Sequence, residues 1–116
     1  MSKLKDVWAS GNAAVNGWLS LPGSHLAEVM AHQGWDSLTI DLQHSSIDVG
    51  AAVPMLQAMA ASDVTPIVRV PWNEPSVMMR VLDAGARHQR SFKNWLTVFR
   101  VIYVNRCPVG VSVTWA

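Results

Sequence analysis

The sequence predicts an α/β fold with parallel strands, because three apolar segments of strand length alternate with three segments of helical periodicity. These units follow one another every 25 to 30 residues, about the length that a strand, a helix and two short loops require. The strand segments are apolar throughout, which is typical of a parallel sheet covered on both faces, or of a barrel surrounded by helices. A chain of 116 residues, of which 50% are hydrophobic, has the size of one domain.

The first unit is predicted at residues 13–34. The segment "AAVNGWLSL" forms the strand, "PGS" forms the turn, and Ser24 is the expected N-cap of the helix "HLAEVMAHQG". Gly34 ends this helix. The side chains expected to face the core are Leu26, Val29 and Met30.

The second unit is predicted at residues 36–62. The strand "DSLTIDLQ" precedes a helix over "VGAAVPMLQAMAAS", with Asp48 as its N-cap. Pro54 removes a hydrogen bond in a helix interior, so the helix is expected either to begin near residue 53 or to bend there. The apolar stripe of this helix consists of Val53, Leu56, Met59 and Ala60.

The third unit is predicted at residues 65–86. The strand "TPIVRVP" is followed by a helix over "NEPSVMMRVLDAGA", with Asn73 before it, Pro75 in its first turn and Gly85 at its end. The side chains expected to face inward are Val77, Val81 and Leu82.

Composition restricts the classes of function. The single cysteine, Cys107, excludes a disulfide within the chain, and the first residues lack the apolar segment of a secretory signal, so we expect a cytoplasmic protein. Apolar stretches are shorter than the roughly 20 residues that cross a bilayer, so no membrane segment is expected. Residues 1–86 carry four basic and eight acidic side chains, whereas residues 87–116 carry five basic and none acidic. The tail's basic residues form no helical stripe, which argues against nucleic-acid binding.

Polar side chains follow the second and third strands. Gln43 and His44 come directly after the second strand, and Arg69 lies near the end of the third. Since the carboxyl ends of parallel strands meet at one edge, an imidazole and a guanidinium there can reach the same small anion. Arginine binds carboxylates through a fork of two N–H groups, and histidine serves as an acid or base near neutral pH. The alternative is that His44 is an ordinary loop residue.

The segments "GWLSLPGSHLAEVMAHQGWDSLTIDLQHS" and "TPIVRVPWNEPSVMMRVLDAGA" resemble the opening third of the HpcH/HpaI aldolase family. The resemblance covers roughly residues 13–86. Its two motifs are an acid, any residue, Glu or Gln, and then His after the second strand, and "RVPWNEP" after the third. It implies a (β/α)8 TIM barrel, of which this chain carries about three βα units and a tail that does not match.

The resemblance also implies a carbon–carbon lyase that cleaves 4-hydroxy-2-oxo acids to pyruvate and an aldehyde. In this family a divalent metal (Mg, Mn or Co) holds the enolate, and the subunits form homo-oligomers. By motif position His44 would be the acid/base residue, Arg69 the enolate-binding residue and Asp83 the partner of the histidine, contributed across a subunit interface. Asp83 is alternatively a solvated residue near a helix end. Asp41 and Gln43 would surround the site, where Gln43 can hydrogen-bond a metal-bound water.

The resemblance stops after residue 86. The tail shows no fourth strand in the expected place and no carboxylate, although the family's metal ligands are acids. We therefore divide the chain into residues 1–86, part of an aldolase barrel, and residues 87–116, a foreign or frameshifted tail without a metal ligand. Two alternatives to an active aldolase remain, an inactive truncated remnant and an interaction subunit that completes a barrel with another chain. A complete flavodoxin-like domain is disfavoured, because no Gly-rich loop follows the first strand.

Overall fold

The computed structural model describes residues 3–72, 74–90 and 112–114. Its helices and strands alternate along the chain as far as β4. They are α1 (Lys3–Ala9), β1 (Ala14–Leu19), α2 (Ser24–Ala31), β2 (Ser37–Asp41), α3 (Val49–Met59), β3 (Thr65–Arg69), α4 (Pro75–Asp83), β4 (His88–Arg90) and β5 (Ser112–Thr114). The three predicted βα units are therefore present. In the part of the chain that the structure describes, no helix is long and apolar enough to span a membrane.

The strands form one sheet in the order β4-β3-β2-β1-β5. Strands β1 to β4 are parallel and each pairs with its neighbour in sequence, whereas β5 adds antiparallel to the outer edge of β1. The expectation that no strand follows residue 86 in the right place was wrong, since β4 pairs residue 67 with residue 88 and residue 69 with residue 90. The segment "HQR" has no apolar run, so its pairing with β3 could not be recognised from periodicity.

The two faces of the sheet differ in polarity. Leu38, Ile40 and Val68 join the helices in the main hydrophobic core. The other face carries buried polar side chains, where Asn16 Oδ1 accepts hydrogen bonds from Ser37 Oγ (2.8 Å) and Thr39 Oγ1 (3.0 Å). The strands are thus apolar on the helix side and largely polar on the other, since successive strand residues point to opposite faces. This corrects the expectation of strands that are apolar throughout.

Helix α2 differs from the prediction in its cap and its buried face. It begins at Ser24, and the N-cap is Gly23, whose φ of 153° suits a residue without a Cβ. Ala27 and Ala31 are buried, whereas Leu26 is 36% and Val29 46% exposed. Met30 packs against the main core as predicted, but the inward placement of Leu26 and Val29 was wrong, because alanines with helical spacing can also pack against a neighbouring element.

Helix α3 has the N-cap that the sequence predicted, whereas the alternative that it begins near residue 53 was wrong. Asp48 is its N-cap, and its Oδ1 accepts a hydrogen bond from the backbone N–H of Ala51 at 2.7 Å. Pro54 lies inside this helix on its exposed side, so the helix begins before residue 53. Its buried side chains are Ala52, Met55, Leu56 and Met59, while Val53 is half-buried and Ala60 is exposed.

Helix α4 begins with Pro75 at its first position and has Glu74 as N-cap, while Asn73 lies outside the described residues. Gly85 follows its end with φ 112°, and its N–H donates to Leu82 O at 3.0 Å. The N–H of the next residue, residue 86, donates to the carbonyl of residue 81 at 3.0 Å, which completes a Schellman motif. Val81 is buried and Val77 packs against the core as expected, but Leu82 is 43% exposed.

Helix α1 was not predicted, because seven residues are too few to carry a clear periodic signal. Its Leu4 is buried in a small cluster with Ala14 and Ile67, and the backbone N–H of Leu4 donates to Thr65 Oγ1 at 3.3 Å. Since residues 14 and 65 begin β1 and β3, α1 covers the amino ends of the strands. The opposite, carboxyl ends lie away from this helix.

Candidate functional site

The predicted site residues meet where β2 and β3 end. Asp41 and Arg69 are the last residues of these strands and are directly opposite each other in the parallel register. Gln43 and His44 follow Asp41 in the loop to α3. The structure therefore brings four of the five predicted residues to one edge of the sheet.

Asp41 and Arg69 form a two-pronged ion pair. Arg69 Nε donates to Asp41 Oδ1 at 2.8 Å, and Arg69 Nη2 donates to Asp41 Oδ2. The side chains are 11% and 3% exposed, so the pair is largely removed from water. Because a guanidinium has five N–H groups, this pairing leaves both groups of Nη1 and one of Nη2 for another acceptor.

The same carboxylate organises the loop that carries the histidine. Asp41 Oδ1 accepts the backbone N–H of Gln43 at 2.9 Å and of His44 at 3.3 Å. Ser45 Oγ donates to the carbonyl oxygen of Asp41 and accepts the N–H of Ile47 at 3.0 Å. The imidazole of His44 is exposed on a backbone that these bonds hold against the strand end.

Trp18 also belongs to this group, although it was not among the predicted site residues. Its indole ring lies under the Arg69 guanidinium, with Arg69 Cζ 4.9 Å from the ring centroid. Its Nε1 donates to Asp41 Oδ2 at 3.4 Å. The period of two along β1 was the available signal, since it places residue 18 on the same face as the polar Asn16.

The environment of Asp41 lowers its pKa below the ordinary value of 3.8. Burial raises the pKa, but this is outweighed by the hydrogen bond from Arg69, the two backbone N–H groups and the positive charge of Arg69. A carboxyl group whose pKa is lower in the folded chain stabilises that state above the unfolded pKa, and the contribution is lost as the pH falls through the folded pKa.

We therefore expect the free energy of unfolding to decrease as the pH is lowered below about 4, with part of the decrease due to Asp41. Urea unfolding between about pH 6 and pH 3 measures it. In Asp41→Asn the slope against pH should be smaller, and an unchanged slope would contradict the assignment.

Gln43 presents an amide oxygen at the same edge. Its Oε1 is buried and has no hydrogen-bond partner within the part of the chain that the structure describes. A neutral acceptor of this kind suits a donor such as a water or a hydroxyl group. Among residues 3–72, 74–90 and 112–114, however, no group of three His, Cys, Asp or Glu side chains could hold a metal ion. The carboxylate of Asp41 is occupied by Arg69, so the described residues do not fit a metal centre by themselves.

Asp83 is not brought to this edge. It is the exposed last residue of α4, a helix that follows β3 and leads back to the start of β4. Its position is therefore at the opposite end of the strands from His44. The suggested pairing with His44 across a subunit interface stays a prediction.

The chain is similar in sequence to proteins of one known family. Residues 16–90 match the family model described as HpcH/HpaI aldolase/citrate lyase. A hydroxypyruvate/pyruvate aldolase of Rhizorhabdus wittichii is 45% identical over 86 residues, which are 74% of this chain and 34% of that enzyme. A 4-hydroxy-2-oxo-heptane-1,7-dioate aldolase of Salmonella dublin is 37% identical over 83 residues, 72% of this chain and 32% of that enzyme. The chain thus spans about a third of the length of these curated relatives.

A solved structure supports the same relationship. An HpcH/HpaI aldolase/citrate lyase family protein from Burkholderia cenocepacia is 40% identical and superimposes with a TM-score of 0.68 over 77% of this chain and 36% of that chain. The described α/β unit is accordingly part of a (β/α)8 TIM barrel, as the sequence indicated. The family match also extends beyond residue 86 and includes β4.

Proposed function

This chain belongs to the HpcH/HpaI aldolase/citrate lyase family. On that basis we propose that it forms part of an aldolase that cleaves 4-hydroxy-2-oxo acids to pyruvate and an aldehyde. One observation carries the proposal. Arg69 is held by Asp41 at the carboxyl edge of the sheet, and His44 follows in the adjoining loop. This arrangement combines an anion-binding group with a group for proton transfer.

We assign Arg69 to the binding of the 2-oxo acid. Its Nε and Nη2 already donate to Asp41, so the edge formed by Nη1 and Nη2 is the one that can bind two oxygens. A 2-oxo acid presents a carboxylate and an adjacent keto oxygen, which suit such a fork. The negative charge that develops on the keto oxygen when the carbon–carbon bond breaks would be stabilised by the same guanidinium.

We assign His44 to proton transfer. Its imidazole is exposed, and its backbone N–H donates to Asp41, the residue that also holds Arg69. Retro-aldol cleavage requires a base that removes the proton of the 4-hydroxyl group and an acid that returns a proton to the enolate. Asp83 of a second copy is proposed to orient this imidazole, which implies a homo-oligomer.

The metal that the family resemblance implies, Mg, Mn or Co, has no assigned ligand here. The described residues do not supply enough acidic side chains at the strand ends. We propose that its carboxylates come from elsewhere, either from another part of the protein or from a second chain. We place the whole protein in the cytoplasm, with a small 2-oxo acid as its substrate and neither nucleic acid nor membrane as a partner.

The alternative is a chain without catalysis of its own, either a remnant or a subunit that completes a barrel with another chain. The lack of an acidic cluster among the described residues favours it. Co-purification of a second chain that carries the acidic residues would support the subunit role.

An assay of pyruvate release tests the proposal. The purified 116-residue chain is incubated with a 4-hydroxy-2-oxo acid and Mn²⁺, and we expect no release above background. A chimera is assayed in parallel, in which residues 16–90 replace the matching segment of the Rhizorhabdus wittichii aldolase. The chimera should release pyruvate, and His44→Ala should reduce its rate by about 10²- to 10⁴-fold.

Two results would overturn parts of this proposal. A folded chimera that shows no activity, judged against the parent enzyme, would contradict an aldolase role for residues 16–90. Metal-dependent pyruvate release by the isolated chain would instead exclude the inactive remnant. Ser46→Ala, an exposed change in the same loop, serves as the matched control for His44→Ala.

A further inference from the structure

Three neighbouring strands each contribute one side chain to a single stack at the carboxyl edge. Trp18 comes from β1, Asp41 from β2 and Arg69 from β3. Neighbouring strands lie about 4.8 Å apart, so β1 and β3 are separated by roughly twice that distance. The indole therefore reaches across β2 to lie beneath the guanidinium, with 4.9 Å between Arg69 Cζ and the ring centroid.

The ion pair alone does not fix the direction in which the Nη1–Nη2 edge of the Arg69 guanidinium points. Two parallel N–H···O bonds hold Nε and Nη2 against the carboxylate, but the plane of the guanidinium can still tilt about that line of contact. An aromatic ring against one face opposes this tilt and attracts the cation electrostatically. The ring is itself tied to the pair, since Trp18 Nε1 donates to Asp41 Oδ2 at 3.4 Å, the same oxygen that accepts from Arg69 Nη2.

We propose that Trp18 is a positioning residue for Arg69, whose ring and Nε1 together hold the guanidinium so that its Nη1–Nη2 edge faces the carboxylate of a 2-oxo acid. The part that concerns the ligand rests on the proposed function, whereas the part that concerns the guanidinium rests on the geometry alone. Trp18 touches Arg69 and Asp41, and it acts on the ligand only through them.

Two substitutions separate the contributions of the ring and the N–H group. Trp18→Phe keeps an aromatic face under Arg69 but removes the donor to Asp41. Trp18→Leu removes both and leaves an apolar side chain. Trp8→Phe is the matched control, because Trp8 packs in the cluster at the amino ends of the strands, away from Arg69.

The first measurement is the ¹H–¹⁵N NMR signal of the Arg69 Nε–H group in the 116-residue chain, assigned by its disappearance in Arg69→Lys. The hydrogen bond to Asp41 shifts this proton downfield and slows its exchange with water, and we expect the Trp18 ring to add an upfield contribution that offsets part of the shift. Trp18→Leu should move this signal downfield and speed its exchange, Trp18→Phe should preserve most of the upfield shift, and Trp8→Phe should leave it unchanged. An Arg69 signal that Trp18→Leu leaves in place would overturn the proposal.

The second measurement is a titration of the same signal with sodium pyruvate. Trp18→Leu should weaken pyruvate binding roughly two- to fivefold, the factor that corresponds to a cation–π contact at a partly exposed site. If pyruvate shifts no signal in any variant but Trp18→Leu still moves the Arg69 signal, the positioning role stands and the substrate assignment fails. If pyruvate binds all variants equally well, Trp18 does not position Arg69 for this ligand.

Discussion

Replacing Asp41 with alanine is expected to lower the free energy of unfolding by about 3–5 kcal/mol, the range found when one partner of a buried ion pair is removed. The guanidinium of Arg69, whose side chain is only 11% exposed, would lose its counter-charge. The indole of Trp18 and two backbone N–H groups of the following loop would lose their acceptor as well. One substitution thus removes the contact that joins the ends of three strands.

Urea denaturation of the variant and the unchanged chain measures this effect. Asp48→Ala is the matched control, because Asp48 is an exposed carboxylate that caps α3 through one backbone N–H group. Loss of such a cap costs about 1 kcal/mol. If Asp41→Ala lowers the free energy of unfolding no more than Asp48→Ala does, the ion pair does not stabilise the chain as described. Asp41→Asn, which keeps the shape and one acceptor oxygen, allows the comparison if the alanine variant does not fold.

Replacing Gly17 with alanine should destabilise the chain by about 1–3 kcal/mol. Glycine within a strand is ordinarily less stable than alanine by roughly 0.5–1 kcal/mol, so the expected sign is the reverse of the usual one. The reason is space. A Cβ at this position would lie 2.8 Å from Leu38 Cδ1 and 3.0 Å from two ring carbons of Trp35.

A double-mutant cycle with Trp35→Leu tests this explanation. Removing the indole takes away two of the three close contacts. Gly17→Ala should therefore lower the free energy of unfolding less in the Trp35→Leu background than in the original chain. Thermal or urea unfolding of the four proteins supplies the coupling energy. Equal costs in both backgrounds would mean that the indole does not exclude a Cβ at residue 17.

The sequence predicted those features that depend on local patterns. The βα units, the Asp48 cap and the Pro75 start of α4 follow from hydrophobic periodicity and capping preferences, and the structure contains each of them. The placement of His44 and Arg69 at one edge follows from the parallel connection alone.

Features that depend on contacts between distant segments could not be predicted in this way. The exposure of Leu26 and Val29 is determined by how α2 rests on its neighbours, which hydrophobicity along the helix does not specify. Strand β4 is stabilised by its pairing with β3, and α1 is stabilised by the burial of Leu4. Likewise, Asp41 was predicted only as a residue near the site, since its pairing with Arg69 depends on the register of β2 against β3.

The order of strands in the sheet determines when the stack at the carboxyl edge can form during synthesis. Because β2 pairs with β1 and β3 pairs with β2, each new strand adds to the one made just before it, with residue 16 opposite residue 37 and residue 37 opposite residue 65. Ribosomes add roughly 5–20 residues per second, so β3 emerges within seconds of β1. Asp41 and Arg69 can then pair before any later strand exists. A slip of β3 by one residue would turn the guanidinium towards the helices, so the ion pair with Asp41 would be lost in that register.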